Sequence, residues 1–132
     1  MKFYSRKMIK HEDLNHASQL FGGTVLAWID EEAWVFACCQ MKTTHVVTKF
    51  MSEIEFISSA KLGEVIEIGI NLVHIGTTSV ALACQVRNKI TKKIIVHVDK
   101  IIMVSVDKHG TKIPHGINQR EPNNKPQEKM QA

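Results

Sequence analysis

Over residues 22–41 the apolar positions Val25, Leu26, Trp28, Ile29, Ala33, Trp34, Val35, Phe36, Ala37, Cys38 and Cys39 surround nearly the whole circumference of a helix. At the α-helical rise this predicts a helix about 28 Å long. A helix apolar on most of its surface must be buried on most sides. After it the period shortens from helical to alternating. Residues 45–56 are rich in β-branched and aromatic side chains, residues 64–75 carry Val65, Ile66, Ile68, Ile70, Leu72 and Val73, and residues 80–86 set Val80, Leu82, Cys84 and Val86 against Ala81, Ala83 and Gln85. With a fourth long run over 94–106 and a short edge candidate over 3–9, the pattern predicts a sheet of about five strands. Turn signals stand at Ala60-Lys61-Leu62-Gly63, Ile75-Gly76-Thr77-Thr78 and Asn88-Lys89-Ile90-Thr91, and connections this short predict antiparallel neighbours in a meander. One apolar helix ahead of one long sheet leaves a single economical packing, an α+β domain in which a curved antiparallel sheet wraps the helix.

A chain of 132 residues is one domain's worth. The longest apolar segment is interrupted by Asp30, Glu31 and Glu32, which excludes a membrane span there, and the start Met1-Lys2-Phe3-Tyr4-Ser5-Arg6-Lys7 has no apolar stretch behind it that would direct export. The expectation is a cytoplasmic protein with reduced, buried cysteines, since Cys38, Cys39 and Cys84 form no C-x-x-C spacing. Net charge is +4, but much of the excess falls in one turn at Lys89, Lys92 and Lys93, and aromatics are only 6%. That argues against a nucleic-acid surface. Beyond Asp107-Lys108-His109-Gly110 the chain turns to Pro114, Pro122 and Pro126 among Asn, Gln, Lys and Glu. The folded domain is therefore assigned to 1–116 and a polar, flexible tail to 117–132.

Candidate chemistry gathers around the helix start. Gly22 and Gly23 allow close approach to the unpaired N–H donors there, which with the positive end of the helix dipole suit a carbonyl oxygen gaining charge. A carboxylate follows one to two turns further in, so donors and acid are expected to converge on one spot. Asp30 lies among Leu26, Ala27, Ala33 and Trp34 on the helical wheel, an apolar setting expected to raise its pKa and strengthen it as a base. Periodicity does not single it out, because Glu31 and Glu32 have equally apolar neighbours. A solvated or subunit-facing acidic patch is the alternative for all three, and a merely tight turn into the helix is the alternative for the glycines. His11, His45, His74, His97, His109 and His115 show no metal-ligand spacing, and His16 reads as a loop residue.

These residues together carry a resemblance. Asn15-x-x-Ser18-x-x-Phe21-Gly22-Gly23, then Trp28-Ile29-Asp30-Glu31-x-Ala33, then Val46-Val47-Thr48, Gly76-Thr77-Thr78-Ser79-Val80 and Val106-Asp107-x-x-Gly110, resemble the hot-dog-fold acyl-CoA thioesterases of the YciA and cytosolic acyl-CoA hydrolase type. The resemblance spans residues 10–114. It implies a hot-dog fold and hydrolysis of acyl-CoA to a carboxylic acid and CoA, with no cofactor beyond the CoA of the substrate. It implies Asp30 as general base or nucleophile, Asn15 as the residue positioning water or substrate and facing a partner subunit's acid, and the Gly23 N–H as the donor to the carbonyl. Phe21, Gly22, Thr48, Gly76, Thr77, Thr78 and Ser79 then fall on the substrate and CoA side. It also implies a homo-oligomer, a dimer at minimum and a trimer of dimers beyond that. Pairing sheets edge to edge would also cover an open edge strand and helix side. Ser18 departs from the family, which has glycine there, so the loop is expected to be less free. A non-catalytic acyl-CoA binding module and a hot-dog hydratase or dehydratase are the other functions this fold could host, although the His and Pro-Gly-rich loop of the latter are not seen near Asp30.

Overall fold

A computed structural model describes residues 1–117; of the tail assigned to 117–132, all but the first residue lies outside the described residues. The elements are β1 (Lys2–Met8), a single 3-10 turn (His11–Asp13), α1 (Gly22–Met41), β2 (Val46–Phe56), β3 (Val65–Ile75), β4 (Ser79–Asn88) and β5 (Ile94–Ser105). They form one five-stranded sheet in the order β1-β3-β4-β5-β2, with every neighbouring pair antiparallel. This is the hot-dog arrangement expected from the sequence, with α1 on the concave side.

Alternation decides which side chains meet the helix. Ile66, Ile68 and Ile70 of β3, Val80, Leu82, Cys84 and Val86 of β4, and Val96, Val98, Ile101 and Met103 of β5 are buried with Val25, Ile29, Ala33, Ala37 and Met41 of α1. Each fully buried Ile or Leu contributes about 2 kcal/mol relative to an exposed position. In β5 the phase slips by one residue at Asp99 and Lys100, so that Val98 pairs with Cys84 while Ile101 pairs with Leu82. The bulge keeps two polar residues off the core and returns the following apolar residues to it.

The meander holds for β3, β4 and β5 but not for β2. The short segment after β2 does not make a hairpin with β3, because the two strands lie at opposite sides of the sheet. Residues 57–64 instead cross the open end of the roll, where the Ala60 carbonyl accepts the Leu20 N–H at 2.8 Å and the Gly63 N–H donates to Ile9 at 2.9 Å. Ala60 is fully buried under this crossing. A short apparent turn therefore runs from the β2 edge to β3, next to the opposite edge, because the curled sheet brings the two strands near each other at that end.

The helix is less enclosed than its composition predicts. Gly23, Ala27, Asp30, Glu31, Val35 and Cys39 are exposed and recur at helical spacing, so one stripe of α1 is left uncovered along its length. β2 is an edge strand beside that stripe, with Val47, Phe50 and Phe56 exposed. Of the cysteines only Cys84 is buried, where the apolar surroundings and then the Glu32 charge push its thiol up to about 12; Cys38 is half-buried and Cys39 exposed. Ile117, assigned to the flexible tail, is partly buried against the core.

Candidate active site

Helix α1 begins without a side-chain cap. Phe21 is extended, and its carbonyl accepts the N–H groups of Thr24 and Val25, both at 3.1 Å. The Gly22 and Gly23 N–H groups precede the first helical hydrogen bonds and point out of the helix end as open donors. Gly23 is exposed, whereas Gly22 lies under the Phe56 ring: a Cβ on Gly22 would come within 3.2 Å of Phe56 Cε1.

The loop leading into the helix is organised by Asn15. Its Oδ1 accepts the N–H of Ala17 at 2.8 Å and of Gln19 at 3.2 Å, while its own N–H donates to the Gln19 carbonyl at 2.7 Å. Ser18 closes this loop with φ of 61°, in the left-handed region. That is the conformation glycine adopts without steric cost, so serine here is held in glycine's geometry and the loop keeps its path. His16 is exposed on the same loop.

The three acids differ in their partners, which the helical wheel alone could not decide. Glu32 is half-buried toward β1, where it accepts the Ser5 hydroxyl at 2.8 Å. Glu31 is exposed. Asp30 is exposed as well, on the β2 side, so the apolar enclosure expected from the helical wheel is not present within the protomer: the sheet does not cover that face of the helix. Its Oδ1 accepts the Thr48 hydroxyl at 2.7 Å. Thr48 Oγ1 also lies 3.4 Å from Met103 Sδ, but a hydroxyl has one proton, and the nearer carboxylate takes it. Thr48 thus fixes the Asp30 carboxylate against the edge strand.

Asp30 and Gly23 share the uncovered stripe yet lie two helical turns apart, about 10 Å along the axis. A carbonyl donor must come within about 3 Å of the oxygen it stabilises. The convergence expected from the sequence therefore does not occur within one protomer.

The segment Gly76, Thr77, Thr78 and Ser79 forms the β3–β4 turn. Gly76 donates to the Ser79 carbonyl at 2.8 Å, and a Cβ on Gly76 would meet Ser79 Oγ at 2.7 Å, so a side chain there would displace that hydroxyl. The Thr78 carbonyl accepts from Ser105, and the Thr77 carbonyl from His115. The His115 ring accepts the Ile117 N–H on Nδ1, which leaves Nε2–H to donate to the Ser79 carbonyl at 3.1 Å. The chain after β5 thereby straps this turn. Two residues that sequence reasoning did not place at the site are Phe56 and Met103. Each touches it from a strand distant in sequence, and no spacing signal could have found them.

A hollow of about 320 Å³ lined by Lys7, Met8, Lys10, Asp13 and Trp28 opens on the β1 side of α1, away from the Asp30–Thr48 contact. Among the described residues no cluster of His, Cys, Asp and Glu is suited to hold a metal ion, and no helix is long and apolar enough to cross a membrane.

The family model of the thioesterase superfamily matches residues 18–95, from the loop serine to the start of β5. The chain belongs to the thioesterase superfamily. No curated protein matches it. The crystal structure of an apo-hexameric acyl-CoA thioesterase, 30% identical, aligns over 96% of this chain and 81% of its own with a TM-score of 0.75. A hexameric thioesterase from Yersinia pestis aligns at 19% identity over 86% and 93% of the two chains with a TM-score of 0.78. The acyl-CoA hydrolase of Staphylococcus aureus, solved with butyryl coenzyme A, coenzyme A and coenzyme A disulfide, aligns at 22% identity over 96% and 77% with a TM-score of 0.78. At these identities the last two speak for the hot-dog fold alone.

Proposed function

We propose that this thioesterase-superfamily protein hydrolyses acyl-CoA, with Asp30 as the general base or nucleophile, the Gly23 N–H as the donor to the thioester oxygen, and Thr48 positioning the Asp30 carboxylate. The observation that carries the reading is the Asp30–Thr48 contact on an exposed helix face in line with the open glycine donors. Thiolate is a good leaving group, so a carboxylate and a carbonyl donor are a sufficient kit and no metal or further cofactor is needed. Solved variants of the S. aureus acyl-CoA hydrolase replace an aspartate and an asparagine separated by the same number of residues as Asn15 and Asp30, which supports the assignment of this pair. Phe21 and Gly22 border the donors, and the strapped turn from Gly76 to Ser79 is assigned to the CoA side.

Because Gly23 and Asp30 cannot meet within one protomer, the reading requires a second copy. Ala27, exposed and small, lies midway between them. An antiparallel twofold crossing of two α1 helices at Ala27 would set each Gly23 opposite the partner's Asp30, beside the β2 edges of both sheets. The assembly is therefore at least a dimer, and the hexameric relatives support a trimer of dimers. The same docking would enclose Asp30, supplying the apolar surroundings missing from the lone chain. A cytoplasmic location is in keeping with an acyl-CoA substrate.

Asp30→Asn tests the reading directly. The variant is expected to keep its circular dichroism spectrum and melting temperature while losing at least a hundredfold in release of free CoA thiol. Undiminished turnover would overturn the assignment.

A further inference from the structure

We propose that the Phe56 ring is the acyl-chain contact of this site and makes it selective for apolar acyl groups of several carbons. The inference rests on the acyl-CoA hydrolase reading. Phe56 ends β2 on its helix-facing side, and its ring is seated on Gly22 while 55% of the residue stays exposed. Phe21, 54% exposed, flanks the other glycine, with its ring carbons 3.8 and 3.9 Å from where a Gly23 Cβ would stand. The proposed carbonyl donors are thus bordered by two phenyl rings that the protomer leaves uncovered.

The occupant that fits is amphipathic in one particular sense. A protein surface covering both rings with apolar side chains would leave the adjacent N–H donors without acceptors, a cost of order 1–3 kcal/mol for each. A thioester answers both needs, since its oxygen accepts from the helix start and its alkyl chain runs directly from the carbonyl onto the ring. An acyl group ending in a carboxylate would bring a charge against the phenyl face and lose its water there. Phe56 is therefore a specificity-determining residue rather than a chemical participant. Gly22 serves it, because a Cβ at that position would stand 3.2 Å from the ring and shift its seat.

The test is a series of acetyl-, butyryl-, hexanoyl- and succinyl-CoA assayed by thiol release with the wild-type protein, Phe56→Ala and Phe56→Leu. Burying one methylene is worth up to about a fourfold change in kcat/KM. Wild type should therefore prefer hexanoyl- over acetyl-CoA by a factor of tens and discriminate against succinyl-CoA. In F56A the hexanoyl to acetyl ratio should fall to within about threefold of unity, mainly through KM, and F56L should fall between the two. Absence of turnover on every ester by wild type would overturn the hydrolase reading itself. Turnover by wild type with no chain-length preference, or with a preference that survives in both variants, would overturn this inference and leave that reading standing.

Discussion

At the scale of single residues the structure assigns conformational and electrostatic roles that composition conceals. Ser18 holds a φ of 61°, and a left-handed non-glycine residue is strained by about 1–2 kcal/mol. Glycine would relieve that strain at an entropic cost of about 0.5–1 kcal/mol. Ser18→Gly is accordingly expected to stabilise the fold by about 0.5–1 kcal/mol and raise the melting temperature by a few degrees, read by thermal denaturation. Glu67 presents the opposite case, a carboxylate buried on the convex side of the sheet. Arg87 Nε lies 2.6 Å from it and Lys92 Nζ 3.5 Å away, with the Arg87 guanidinium over the Phe3 ring. Burial works to raise its pKa, but the Arg87 hydrogen bond and charge, aided by Lys92 and Lys89, outweigh it and hold the carboxyl below its ordinary value. A depressed folded-state value stabilises the protein above the unfolded pKa, near 4.3, and that stability is lost as pH falls through the folded one. Glu67→Gln should therefore flatten the decline in urea midpoint between pH 5 and pH 3. Arg87→Ala should cost about 2 kcal/mol at neutral pH, less than a fully isolated charge, because Lys92 remains.

At the scale of elements, hydrophobic periodicity located every strand and the helix to within about two residues at each end, because each element carries its period over ten or so positions. The connectivity was less legible. The short linker between β2 and β3 has the length of a hairpin turn but crosses the end of the roll, and nothing local in Ala60-Lys61-Leu62-Gly63 records the curvature that brings those strands together. The crossing leaves β2 at the edge, where its outer backbone groups have no ladder partner among the described residues and Val47 and Phe50 are exposed. An edge of this length and apolar character demands a covering. Replacing Phe50 with lysine should weaken self-association without unfolding the protomer, seen as a shift to smaller mass in sedimentation at unchanged melting of the dilute protein.

At the scale of the whole molecule, the uncovered stripe of α1 and the free β2 edge lie side by side, so one docking event would bury both. Multi-angle light scattering is expected to return a dimer or a multiple of it, and a monomeric mass under assay conditions would rule out a shared site. The sequence by itself determined the fold class, the span of the helix and the five strands, since these follow from local periodicity and from the requirement that an apolar helix be wrapped. With the resemblance it also nominated Asn15, Gly23, Thr48 and Asp30. Only the tertiary structure turned Glu32 toward β1 and Ser5, made Thr48 the partner of Asp30, and set Phe56 on Gly22. It also put Gly23 and Asp30 too far apart for one protomer to use together. Those outcomes depend on how the sheet curls around the helix and which stripe it leaves open, and a curl is a property of long-range packing that no local spacing encodes.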